Sequence, residues 1–302
     1  MLQQFNPKNQ DLKVYVNGAI VPRSEAKVSV FDSVVQGGDA VWEGLRVYNE
    51  KVFALDRHLN RLYESAKAMA FTELPDPGAI KQALFDTLIA NDMRDGVHVR
   101  LTLTRGEKIT SGMDPRLNQS GNSLIILPEW KMPVYPAEGI KLVTSNIRRN
   151  SPLCIDSKIH HNNLINNILA KIEANYAGAD AALMLDLYGF AAECNGVNIF
   201  MAKDGKLYTP FASACLPGIT RGLIMELAAK NHIFMEERNL SLVELYNADE
   251  VFVTGTMGEL TRVNQIDGRV IENRSGLPML KKMNELFHEL TSTSGDPIPF
   301  PK

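Results

Sequence analysis

Cysteine is scarce in this chain. Three occur in 302 residues, Cys154, Cys194 and Cys215. They are odd in number and far apart, with no CxxC pair and no histidines at zinc spacing. Neither a disulfide framework nor a structural zinc site is expected, and the thiols read as free, in a reducing compartment. Long apolar runs are also missing. None reaches the ~18 residues that span a bilayer, and the opening MLQQFNPKNQDLK lacks the apolar segment of a secretory signal. The expectation is a cytoplasmic protein without a membrane partner. Charge of one sign is missing too: 32 Lys and Arg stand against 35 Asp and Glu, for a net charge of −3. With no basic stripe there is no footprint for nucleic acid. Several catalytic signatures are absent: no GxGxxG after a strand, no Walker A loop, no HExxH, no GxSxG. His160-His161 is a tempting pair, but adjacent side chains point in different directions in helix or strand, so no metal is expected there.

What is present is ordinary for a globular protein: 45% hydrophobic and 22% charged residues, in a length that suits two domains with cores of their own. Residues 12–22 alternate apolar and polar around Asn17-Gly18, a hairpin signal. Residues 27–31 and 45–55 read as strands. Leu55, Leu59, Leu62, Ala66 and Met69 recur at helical steps and predict a helix over 56–70, followed by another over 78–91. Val97–Thr104 and Leu124–Leu127 read as strands. The stretch 128–139, PEWKMPVYPAEG, holds three prolines and reads as a linker. Beyond it the pattern predicts a strand at 140–149 and a helix at 162–176. Strands follow at 181–186, 197–203 and 206–209, then a helix from Pro217-Gly218 to about 230, a strand at Val251–Thr254 and a last helix at 276–291. The division is therefore a small α+β domain over 1–128, a linker over 129–139, and a larger mixed α/β domain over 140–302.

Four features could carry chemistry. Lys158, in CIDSKIHHNN, sits between a strand and a helix; it reads as a surface charge or, beside a carbonyl cofactor, as a Schiff-base amine. Glu193, in GFAAECNGVNIF, reads as a turn residue facing solvent or as a carboxylate that keeps a pyridine nitrogen protonated. The run Leu216–Arg221, LPGITR, opens a helix, whose first N–H groups can cup a phosphate, though Pro-Gly before a helix is common without one. Thr254-Gly255-Thr256-Met257-Gly258 is a small, hydroxyl-bearing turn that can wrap an anion or serve as a plain loop.

In this order and spacing, the four resemble the fold-type IV pyridoxal-phosphate (PLP) enzymes of the branched-chain and D-amino-acid aminotransferase class. GGDAVWEGLRVY at 37–48, LDRHLNRLYESAKAM at 55–69 and the central run from Asn162 to Pro210 agree, and the resemblance extends to Arg269. It implies a two-domain D-amino-acid-aminotransferase-like fold of mixed α+β character and a homodimer with PLP at the domain and dimer interface. Its partners would be small molecules, amino acids and keto acids. The residue roles it implies are Lys158 as the Schiff-base and proton-transfer group, Glu193 on the pyridinium, and Leu216 packed on the ring. Arg61, Ile219, Thr220 and Thr256 would hold the phosphate, and Trp42, Arg100, Thr256 and Met257 would line the substrate side.

The chain departs from the branched-chain pattern at Asn163, Gly37 and His98, where tyrosines are common, at Trp42, often Phe, and at Arg262, often proline. Thr104-Arg105-Gly106 resembles a loop of the D-amino-acid group, in which a nearby arginine serves a carboxylate. The first expectation is thus a branched-chain L-amino-acid aminotransferase working by ping-pong exchange with an acceptor such as 2-oxoglutarate. D-amino-acid or (R)-amine aminotransferases, an aminodeoxychorismate-type lyase, and a PLP-binding protein without turnover remain as alternatives.

Overall fold

The computed structural model describes residues 3–271 and 276–301. The chain divides into two compact units. The N-terminal unit comprises the chain up to Met132 together with Ile159–Asn163 and the stretch from Thr291 onward. The C-terminal unit comprises Pro133–Lys158 and Leu164–Leu290.

In the N-terminal unit, Asn17 (φ 47°) and Gly18 (φ 91°) make a left-handed two-residue turn between β1 (Lys13–Val16) and β2 (Ala19–Pro22). That is the turn whose twist suits a hairpin. After a short α1 (Ser33–Gly37) come β3 (Ala40–Tyr48), β4 (Lys51–Val52), α2 (Leu55–Ala68), α3 (Pro77–Ala90), β5 (Val97–Thr104) and β6 (Ser123–Trp130). With a two-residue strand at Asp296–Pro297, they form a seven-stranded antiparallel sheet in the order Asp296–Pro297, β4, β3, β5, β6, β1, β2. Because side chains alternate across a strand, Val41, Leu45, Val47, Val97, Val99, Leu101 and Leu103 share one face. There they pack with Leu55, Leu59, Leu62, Ile80, Leu84 and Leu88 of the two long helices.

Two expectations fail here. Residues 27–31 form no strand: Val28, Val30 and Phe31 are exposed, and the nearest pairing is a single bridge between Asp32 and Glu107. The strand expected over 45–55 begins earlier, at Ala40, and stops at Tyr48. Asn49 (φ 48°) and Glu50 (φ 62°) both take left-handed backbone, closing a second hairpin that carries no glycine to announce it.

The C-terminal unit contains β7 (Ile140–Thr144), α4 (Ile165–Tyr176), β8 (Ala181–Leu185), β9 (Ala191–Cys194), β10 (Asn198–Lys203) and β11 (Lys206–Thr209). Then follow α5 (Ile219–Lys230), β12 (Met235–Glu237), α6 (Leu242–Tyr246), β13 (Glu250–Gly255), β14 (Glu259–Ile266), β15 (Arg269–Val270) and α7 (Pro278–Thr293). The nine strands run β12-β11-β10-β13-β14-β7-β8-β9, with β15 on β14. Pairs β11/β12, β14/β7 and β7/β8 are parallel and the rest antiparallel. On one face Phe200 of β10 stacks on Phe252 of β13, ring centroids 5.2 Å apart, and α5 packs on β13. α4 covers β8 through Ala170 and Ala174, which meet Ala182 and Met184. Its larger apolar residues, Ile165, Ile168, Leu169, Ile172 and Tyr176, turn away from this core and are exposed.

Candidate active site

In the C-terminal unit Glu193 lies near the end of β9 (Ala191–Cys194); the chain then passes the turn at Gly196 and enters β10 at Asn198. Both side chains are buried, each 6% exposed. Glu193 does not face solvent: the Arg149 guanidinium lies 2.8 Å from Oε1, and Asn198 Nδ2 donates to Oε2 at 3.3 Å. A carboxylate removed from water stays ionised only beside such partners. Arg149, itself 8% exposed, is steadied by Asn167, whose Oδ1 accepts from its Nη1 at 3.0 Å. The same Asn198 amide donates to the Leu216 carbonyl at 2.9 Å, joining the carboxylate to the loop that opens α5.

α5 begins at Gly218, whose backbone (φ −60°, ψ 139°) is extended and which offers no side-chain cap. The first N–H groups of a helix have no intrahelical partner, and the dipole adds positive character. Ile219 and Thr220 therefore present donors at a point where an anion is favoured. Across the ladder from Asn198 stands Thr254. Its hydroxyl is buried with no hydrogen-bond partner among the described residues, a donor that a bound group can use. Beyond it Thr256 and Met257 turn toward β14, and the Met257 carbonyl accepts from Val134 N–H at 3.1 Å. The turn is tight: a Cβ on Gly255 would lie 2.9 Å from Val197 Cγ1. Lys158 sits in the turn between β7 and α4. It is half exposed in the single chain, its N–H donating to Asp156 Oδ1 at 3.0 Å and its Nζ 3.5 Å from that oxygen.

In the N-terminal unit Arg61 of α2 is not a charge on a solvated face. It is 9% exposed and grips Glu43 of β3 with Nε and Nη2, at 2.8 and 2.6 Å. His58 Nδ1 lies 2.6 Å and His160 Nδ1 3.1 Å from the same carboxylate. Burial alone would push the Glu43 carboxyl up, but the charge of His160 and the hydrogen bonds from Arg61, His160 and His58 outweigh it and hold the group well below its ordinary range. His160 also packs on Trp42, centroids 4.1 Å apart, and the Trp42 indole N–H donates to the His161 carbonyl at 3.1 Å. The paired histidines thus have separate duties, and among the described residues no cluster of His, Cys, Asp and Glu could hold a metal. On the opposite sheet face from the helices, the Arg100 guanidinium lies 3.8 Å from the Trp42 ring centroid and Nη2 donates to Asn162 Oδ1 at 3.1 Å; burial pushes its pKa down. Arg105 is committed elsewhere. It holds Asp39 through Nε and Nη2, at 2.6 and 3.1 Å, and donates to the carbonyls of Met69 and Ala70.

The sequence reading does not single out Asn198, Arg149 or Glu43, and it names Thr254 only as part of the 254–258 turn. The available signal is slight: an asparagine at an inward position of the apolar strand VNIFM, and a glutamate in a run otherwise apolar on both faces. The three cysteines are free, Cys154 exposed and the others buried. Burial pushes the Cys215 thiol up to about 12 and that of Cys194 higher still. No helix among the described residues is long and apolar enough to cross a membrane.

Comparison with known proteins bears on this arrangement. Residues 40–266 match the family model described as amino-transferase class IV. The chain is 57% identical over 294 residues to branched-chain-amino-acid aminotransferase-like protein 2 of Arabidopsis thaliana, covering 97% of this chain but 53% of that protein, so it spans about half that relative's length. It is 40% identical to the putative branched-chain-amino-acid aminotransferase of Methanocaldococcus jannaschii, covering 94% of this chain and 98% of that one. Among solved structures, it resembles the branched-chain aminotransferase from the thermophilic archaeon Thermoproteus uzoniensis with norvaline. The TM-score is 0.86 and the identity 29%, covering 93% of this chain and 95% of that one.

Proposed function

The chain belongs to the class IV aminotransferase family, and we propose that it is a PLP-dependent aminotransferase moving an amino group between a branched-chain L-amino acid and a 2-keto acid such as 2-oxoglutarate. One observation carries this reading: a buried, ion-paired carboxylate, Glu193, tied through one asparagine to an uncapped helix start. A protonated ring nitrogen and a phosphate are the two groups such a pair suits, and the orphaned Thr254 hydroxyl marks the same neighbourhood.

When bound, PLP supplies an aldehyde for the amino group and a pyridinium ring that draws electrons from the substrate Cα. Glu193, paired with Arg149, would hold the proton on the ring nitrogen. Ile219 and Thr220, at the start of α5, would hold the phosphate together with Thr256, and Leu216 would pack on the ring. Arg61, held by Glu43 through Nε and Nη2, is the proposed further charge for the phosphate. Lys158 Nζ would anchor the cofactor covalently and, when released as a free amine, would take the proton from the substrate Cα. Trp42, Met257 and Thr256 shape the side-chain space, and Arg100 seats a carboxylate. Catalysis as a cytoplasmic homodimer completes the proposal.

The test is an absorbance titration. The purified chain with added PLP is expected to show a band near ~400 nm, bleached by L-leucine and restored by 2-oxoglutarate. Lys158→Ala is expected to keep the fold and lose both that band and turnover. A wild-type chain that binds PLP but bleaches only with D-alanine would move the substrate to the D-amino-acid class, and a chain that takes up no PLP would overturn the reading.

A further inference from the structure

Asn198 has one side-chain amide and three neighbours that constrain it. Nδ2 carries two hydrogens, directed at Leu216 O (2.9 Å) and Glu193 Oε2 (3.3 Å). Both neighbours are acceptors, so only the NH2 end fits there. The other end, Oδ1, faces Gly218: a Cβ built on Gly218 would lie 2.1 Å from it. Gly218 has φ −60°, open to any residue, so space for Asn198, and not backbone freedom, makes glycine necessary at this position. Asn198 is 6% exposed and stands across the ladder from Thr254. One buried amide therefore ties together the Glu193 carboxylate, the loop entering α5 and the ladder position of the orphaned hydroxyl.

Resting on the PLP reading above, we infer that Asn198 is a positioning residue that sets the spacing between Glu193 and the N-terminus of α5. A pyridine ring carries its phosphate on a short methylene–oxygen arm, so its nitrogen and its phosphate lie within a limited range of separations that the protein must match. If the carboxylate and the helix start drift independently, one contact is made at the expense of the other. Asn198 holds both in a single grip, and Gly218 leaves the room in which that grip forms.

The experiment is a double-mutant cycle on the full chain, read by titrating the apo-protein with PLP and by the pH dependence of the bound cofactor's visible band. Asn198→Ala is expected to raise the dissociation constant for PLP about tenfold, the scale of a hydrogen bond to a charged group, and to shift the pH at which the band changes. Gly218→Ala alone should do the same, because its methyl displaces Asn198. The double variant should bind no more weakly than Asn198→Ala, since the methyl then has no amide to displace. Gly218→Ala removes no side chain and carries the test by itself if Asn198→Ala fails to fold. An unchanged dissociation constant and pH profile in the single variants, or single effects that multiply in the double, would overturn the inference alone. A wild-type chain that takes up no PLP would overturn the proposed function and this inference with it.

Discussion

His98 stands on β5, 6% exposed, and its Nε2 is buried without a hydrogen-bond partner among the described residues. The atom lies over Gly44, where a Cβ would approach it to 3.2 Å. Burial pushes the His98 pKa down to about 3, with Lys131, Arg46, Arg100 and His58 adding repulsion. The folded value is thus below the ordinary 6.5. Above 6.5 the ring is neutral folded or unfolded. As pH falls from 6.5 toward 3 the unfolded chain takes a proton that the folded chain refuses, and stability is lost by up to ~1.4 kcal/mol per pH unit. His98→Phe removes that contribution. Urea unfolding at about pH 7 and about pH 5 should show the wild type losing up to ~2 kcal/mol more than the variant; equal losses would refute it. At this scale the sequence speaks through residue order. Motif spacing picks out Lys158, Glu193, Thr220 and Thr256. It does not reach Arg149, which lies in a loop far along the chain from Glu193, or Asn198, which sits five residues from Glu193 but shows its role only through its hydrogen bonds.

Among the elements, those with strong periodicity or a glycine turn are legible: α2, α3, β5, α5 and the Asn17-Gly18 hairpin lie within a few residues of expectation. The misses share a cause, namely that local pattern does not reveal neighbours. β9, β12 and β14 exist because adjacent strands complete their ladders, and the turn at Asn49-Glu50 gives no glycine signal. α7 shows the same dependence on partners. Its opening N–H groups at Met279 and Leu280 donate, each at 2.8 Å, to the two oxygens of Glu250. Glu250 is 2% exposed at the start of β13 and so caps the helix from another element. Glu250→Ala should therefore unfold more readily than wild type by about 1–3 kcal/mol, the scale of a lost cap with buried donors left unpaired. Hydrogen exchange should rise first in α7; exchange spread evenly over the chain would argue against the cap.

At the scale of the whole molecule, the sequence pattern of α4 identifies a helix, yet its apolar stripe faces outward. Ile165, Ile168, Leu169, Ile172 and Tyr176 are 70, 57, 43, 42 and 90% exposed in the single chain, while the small Ala170 and Ala174 face β8. Steps of three and four residues over three turns give one continuous ridge, the pattern by which one helix packs on another. A single chain gains nothing from leaving such a ridge in water, and large exposed apolar patches mark association surfaces. The occupant consistent with the proposed homodimer is the same ridge of a second copy, since a two-fold interface sets one patch against itself. Sedimentation of the wild type is expected to give about twice the 33.5 kDa of the chain. The double variant Ile168→Lys, Ile172→Lys places like charges against each other across the two-fold and should sediment as one copy. Its apo form should remain folded by circular dichroism, because neither side chain belongs to the core of its own unit. A variant that stays dimeric would mean that other surfaces make the dimer.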